Sequence, residues 1–114
     1  MAPPGEVTED TIMSLKKQYL KSKPLCKVTF ALPKEAANDA KKVFLVGEFN
    51  HWRMDATPMR KQKSGEFTAT LELQPGTDYQ FRYFIDGQVW ENDWDADRYE
   101  YSPFGNCENS VVCV

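Results

Sequence analysis

The stretch EFTATLELQPGTDYQFRYFIDG, Glu66 to Gly87, decides the fold class. From Glu66 to Leu73 apolar and polar residues alternate without a break. Phe67, Ala69, Leu71 and Leu73 share one face, and Glu66, Thr68, Thr70 and Glu72 share the other, as in a strand with one side buried and one side wet. Pro75-Gly76 makes a turn, and Tyr79 to Ile85 begins the same alternation again. Asp86-Gly87 then marks a hairpin, because the tight turns that join antiparallel strands need positive φ at their centre.

The same texture extends outward in both directions. Leu25 to Leu32 sets Cys26, Val28, Phe30 and Leu32 against Lys27 and Thr29, and Val43 to Val46 is a short, wholly apolar run. Ser110 to Val114 supplies a closing strand. Short strands separated by turn residues at intervals of roughly ten predict an all-β sandwich or small barrel. Glu35 to Lys41, charged and alanine-rich, reads as an insertion between the first two strands.

Upstream the pattern changes. Residues 1–7 carry a Pro-Pro pair and a glycine with no apolar period, and are expected to be disordered. Thr8, Glu9 and Asp10 suit a helix start, while Ile12, Leu15 and Tyr19 fall three and four residues apart and Lys16, Lys17 and Lys21 suit a helix C-terminus. The spacing predicts a short amphipathic helix over residues 8–23, closed by Pro24, with the sandwich occupying residues 24–114.

The chain has 114 residues, 14 of them basic and 17 acidic, enough for one globular domain of net charge −3. That balance, with lysines spread in ones and twos, offers no surface for a phosphate backbone and predicts no nucleic-acid partner. No apolar run approaches the ~20 residues that span a bilayer, and the opening residues lack the order of a secretory signal. The expectation is a cytoplasmic protein without membrane contact. The 3 cysteines match no zinc or redox spacing and read as free thiols. His51, the single histidine, reads as an exposed turn residue, and Asp93, Asp95 and Asp97 lack the glycine and terminal glutamate of a calcium loop. No metal or cofactor is expected.

Both faces of Tyr79 to Ile85 are rich in rings. Tyr79, Phe81, Tyr83 and Ile85 point one way and Gln80, Arg82 and Phe84 the other. The longer apolar set takes the interior, which leaves Arg82 beside Phe84 on the outside with Trp90 and Trp94 close behind. Trp52 follows Asn50 and His51 where the chain leaves a core strand. Flat rings with an adjacent arginine and asparagine suit a sugar, whose apolar C–H face stacks while its hydroxyl rim needs fixed donors.

In chain order, Gly47-x-Phe49-Asn50-x-Trp52, Pro58-Met59, Gly65-x-Phe67, Leu73-x-Pro75-Gly76, Tyr79-x-Phe81-Arg82-Tyr83-x-Ile85-Asp86-Gly87 and Asn109-Ser110-Val111-Val112 resemble the family 48 carbohydrate-binding module. That family comprises the early-set, immunoglobulin-like domain of isoamylases and glycogen branching enzymes, and the glycogen-binding module of the AMP-activated protein kinase β subunit. The resemblance implies an immunoglobulin-like early-set β-sandwich. It further implies non-catalytic binding of α-1,4-linked glucans such as glycogen or starch. Trp52 would be the first stacking plate, Arg82 the hydroxyl-binding base, Trp90 the second plate and Asn109 a polar contact. Trp94, Asn50 and Phe84 are further candidates.

A two-residue Asp86-Gly87 turn would pair Tyr83 with Trp90 and bury that ring, whereas a three-residue loop through Gln88 pairs Phe84 with Trp90 beside Arg82. Both registers fit the sequence. Two other function classes stay open. An early-set domain that binds protein rather than sugar would bury the tryptophans and expose an apolar patch near Ile12, Leu15 and Tyr19. An accessory role beside a glucan-metabolising enzyme is the other, since the relatives keep their chemistry in a separate barrel of roughly 200 or more residues.

Overall fold

In a computed structural model, which describes residues 15–37, 39–102 and 107–114, the alternating runs pair as strands. The second strand, β2 (Cys26–Leu32), buries Cys26, Val28, Phe30 and Leu32 on one face. It pairs antiparallel with β5 (Phe67–Leu73), Phe30 opposite Ala69 and Leu32 opposite Phe67. β1 (Leu15–Tyr19) and β4 (Arg60–Lys61) complete this sheet in the order β1-β2-β5-β4. The second sheet runs β3 (Val43–Gly47), β6 (Asp78–Ile85), β9 (Cys107–Cys113), β8 (Arg98–Ser102), and β7 (Val89–Glu91) pairs with the end of β6.

The core lies between the sheets. Phe30 meets Phe81 edge to face with centroids 5.0 Å apart, and Phe49 packs on both rings. Phe81, Tyr83 and Ile85 point inward from β6 as their alternation predicts, so the all-β, immunoglobulin-like sandwich is the observed fold. Residues 57–61 tie the sheets together. Thr57 O accepts from Leu45 N and Met59 N donates to Val43 O on the free edge of β3, before the chain crosses to β4 on the other sheet.

Three sequence expectations need correction. Leu15–Tyr19 is a strand and not part of a helix: a spacing of four between Leu15 and Tyr19 satisfies period two as well as period 3.6. The face shared by Leu15, Lys17 and Tyr19 turns toward the other sheet, where Lys17 Nζ lies 2.7 Å from Asp97 Oδ2 and the Tyr19 hydroxyl donates to Val114 O. The remainder of the expected helix, Ile12 included, and the expected disorder of residues 1–7 lie outside the described residues. The alanine-rich segment is no mere insertion. Its one-turn helix α1 (Lys34–Ala37) buries Ala36 and Ala37, and Ala40 follows them into the core. Finally, Arg98–Ser102, to which the sequence reading assigns no strand, is a strand whose Glu100 faces Asn109 and whose Ser102 faces Cys107. Among the described residues no helix is long and apolar enough to cross a membrane.

Candidate functional site

Gly47 ends β3 where Gln80 of the neighbouring strand passes close by. A Cβ at Gly47 would lie 2.6 Å from Gln80 O and 2.8 Å from Phe49 and Phe81. After this close approach a 3₁₀ turn, Glu48–Asn50, bends the chain off the sheet. Asn50 holds the bend: its Oδ1 accepts from Gly47 N, and its Nδ2 donates to Leu45 O and Thr57 Oγ1. His51 and Trp52 follow, both at φ 59°. Left-handed backbone is uncommon for an aromatic residue and is maintained here by the turn, in which Trp52 N donates to Gly47 O over 2.8 Å. The Trp52 ring is left 38% exposed.

Opposite it, the β6–β7 hairpin settles the register. Ile85 pairs with Val89, Phe84 with Trp90 and Tyr83 with Glu91. Asp86 and Gly87 both take positive φ, and Gln88 is the unpaired third loop residue. Trp90 therefore sits on the outer face, stacked on Phe84 with centroids 4.4 Å apart, and the Arg82 guanidinium lies 5.6 Å from the Trp90 ring centroid. Such ring–ring and cation–ring contacts each contribute about 0.5–1.5 kcal/mol. They hold plate and base in a fixed relation.

Trp52, Arg82, Trp90 and Asn109 line a single open cleft of 560 Å³, within the roughly 300–1,000 Å³ typical of small-ligand sites. The sheet face that carries Arg82 and Gln80 has a second apolar layer. Val46, opposite Arg82, and Val111, opposite Gln80, are fully buried yet lie outside the core between the sheets. Asn109 is the third residue of β9, nearly buried, and its Nδ2 donates to Gln80 Oε1, while Gln80 Nε2 donates to Glu100 Oε1. Arg82 donates from Nη1 to Cys107 Sγ at 3.4 Å, and its Nε is buried without a partner. One of its five donors is thus engaged by the protein, and Nη2 has no protein acceptor among the described residues.

The other candidates stand elsewhere. Trp94, 56% exposed, donates from Nε1 to Glu91 Oε2 and does not line the cleft. Phe84 backs Trp90 from beneath. The amide of Asn50 is committed to the backbone turn. Reading by residue missed Glu48, Met54, Ser102 and Cys107, all of which line the cleft. Ser102 and Cys107 were hidden because the β8–β9 pairing has no clear alternation, and nothing in the sequence marks Glu48 or Met54.

Behind the cleft the loop after β7 is pinned by a buried polar cluster. The fully buried Tyr83 hydroxyl donates 2.6 Å to Asp93 Oδ2, Asp93 N donates to Ser110 Oγ, and Ser110 N and Oγ donate to Asn92 Oδ1. The Tyr99 hydroxyl donates to Asp93 O. Burial, reinforced by the neighbouring Asp93, pushes the Tyr83 phenol well above its usual value. Asp97 is engaged by Lys17 and by Cys113 N, Asp93 Oδ1 accepts from Asp95 N, and among the described residues no group of three or more His, Cys, Asp or Glu is placed to hold a metal ion.

The sequence profile described as the glycogen recognition site of AMP-activated protein kinase matches residues 35–113. No individually curated protein matches the chain. The match spans β3 to β9, every strand that builds the cleft. The chain therefore belongs to the family of glycogen recognition domains typified by that of AMP-activated protein kinase, a family 48 carbohydrate-binding module.

Proposed function

We propose that the cleft binds α-1,4-linked glucan, as in glycogen or starch, by stacking sugar rings on Trp52 and Trp90 while Arg82 and Asn109 meet the hydroxyls. The observation that carries this reading is the convergence of two exposed tryptophans with Arg82 and Asn109 in one cleft. Stacking buries the C–H face of each sugar ring, and the uncommitted donors of Arg82 offset the lost hydration of its hydroxyls. Few side chains need to be ordered on binding, since the base is held between Cys107 and Trp90. Two plates of this kind correspond to dissociation constants of roughly micromolar to millimolar.

The reading is one of binding without bond cleavage. Glycoside hydrolysis uses two carboxylates flanking the scissile bond, and among the described residues Glu48 alone brings one to the cleft lining, where its Oε1 accepts from Gln80 N. The protein-docking alternative asks for buried tryptophans and an exposed patch near Leu15 and Tyr19; both rings of the cleft are exposed and Leu15 is buried in the core, while Tyr19 is exposed with its hydroxyl donating to Val114 O. The domain would act in the cytosol, where thiols such as the buried Cys26 stay reduced, and could hold a glucan-metabolising enzyme on its polymer.

The test is a fluorescence titration of maltoheptaose and of glycogen, with cellohexaose as control. Saturable quenching by maltoheptaose, absent with cellohexaose and lost in folded Trp52→Ala and Trp90→Ala, is the expected result. Equal responses to both oligosaccharides, or none to either, would overturn the assignment.

A further inference from the structure

At the end of the sandwich carrying β4, away from the cleft, the chain makes a second, smaller concavity of 210 Å³. Lys34 borders it from α1, and Lys61 and Lys63 from the β4–β5 hairpin. Ser64 and Asp39 complete its polar lining. Three ammonium groups against one carboxylate give the lining a charge of +2 on a chain whose net charge is −3. The ion pairs elsewhere join Lys17 to Asp97, Lys23 to Glu72, and Arg98 to Asp78 and Glu100. Among the described residues none of Lys34, Lys61 and Lys63 has an acidic partner.

Two of these lysines are positioned and not merely solvated. Gly65, at φ 97°, carries the stem of Lys34 so closely that a Cβ there would meet Lys34 Cδ at 2.9 Å. The Lys61 ammonium lies 5.9 Å from the centroid of Phe67, which is buried at the pocket wall. The third, Lys63, stands in the hairpin turn, where Gly65 N closes back on Gln62 O. Like charges collected in excess of counter-charge repel one another, and an anion seated among them relieves that repulsion.

We propose that this pocket binds a phosphate group, either free phosphate or the monoester of a phosphorylated sugar. The +2 lining matches a phosphate dianion, three ammonium groups match its three terminal oxygens, and the Ser64 hydroxyl adds a neutral donor. The volume is below the roughly 300–1,000 Å³ of sites that enclose drug-sized ligands, so the pocket takes the charged head and leaves the rest of a larger ligand in solvent. The inference is independent of glucan binding in the cleft.

Inorganic phosphate, glucose 6-phosphate, glucose and sodium chloride, each titrated into the ¹⁵N-labelled chain at constant ionic strength and pH 7.5, provide the test. Inorganic phosphate and glucose 6-phosphate should shift the amides of Lys34 and of Lys63 to Gly65 saturably, with glucose and chloride inert. An equal response to both phosphates identifies the free anion as sufficient, and tighter binding of glucose 6-phosphate identifies the monoester. Lys34→Gln and Lys63→Gln should each weaken phosphate by about fivefold to thirtyfold, the values in water of one unit charge near 4 Å from a monoanion and from a dianion, with the spectrum itself reporting that the fold is retained. Shifts that stay linear in phosphate, or an unchanged affinity in the doubly substituted chain, would overturn the proposal.

Discussion

Removing the Tyr83 hydroxyl should produce a stability loss that disappears at high pH. The hydroxyl donates to Asp93 Oδ2 at 2.6 Å with both side chains buried, and a hydrogen bond to a charged acceptor is worth about 1.5–3 kcal/mol. Tyr83→Phe should therefore be less stable by about 2 kcal/mol at neutral pH, lowering Tm by about 8 °C in a domain of this size. The folded phenol titrates well above its reference value of 10.0. Above that pH the unfolded chain releases a proton that the native chain keeps, so wild-type stability falls by about 1.4 kcal/mol per pH unit from this group. Phenylalanine has no such proton. The two proteins should converge about 1.5 pH units above 10, where the lost linkage equals the lost bond. Urea midpoints followed by tryptophan fluorescence from pH 7 to pH 12 measure the gap directly. A gap that stays constant through pH 12, or no gap at pH 7, would refute the reasoning.

Three further outcomes follow from the backbone around the cleft. Gly47→Ala places a methyl 2.6 Å from Gln80 O and should cost about 1–3 kcal/mol by overpacking, read as a lower urea midpoint. His51→Gly relieves a left-handed residue at φ 59° and should raise stability by about 0.5–1 kcal/mol after glycine's own entropy is counted, with glucan affinity unchanged. A lower Tm would contradict it. Asp86 accepts from Lys41 N and Lys42 N, bonds that hold its carboxyl below the usual range. Its contribution is present above the reference value of 3.8 and is lost as pH falls through the lower folded value. Asp86→Asn should flatten that part of the acid limb of a urea-midpoint profile.

The inner and outer faces of β6 are legible in the sequence because period-two alternation is strict there and by itself places Arg82 outside. Trp52 was legible from its place just past a core strand, although the left-handed turn that presents it depends on the tertiary hydrogen bonds of Asn50. Three features were not readable. Leu15–Tyr19 satisfies two periods at once, and only pairing with β2 chooses between them. Tyr99 and Tyr101 lie on the inner face of β8 but stay exposed on this edge strand, and charged residues flank them, so no buried apolar stripe reveals the strand and Cys107 opposite Ser102 stayed hidden. Ala36, Ala37 and Ala40 enter the core through a single helical turn, too short to show an amphipathic period.

Gln88 is the third residue of the hairpin loop, and the register that goes with it puts the Trp90 ring on the outer face of β7. Sliding β7 by one residue against β6, so that Gln88 pairs with Ile85 across a two-residue turn, would exchange the faces of Val89 and Trp90 and carry the Trp90 ring out of the cleft with no change of sequence. In a strand pair, side-chain facing is a binary variable, and the turn geometry chosen at the hairpin tip sets it. The second stacking plate is therefore held in place by a turn that touches no sugar, and a change of turn type would remove it with the scaffold beneath unchanged.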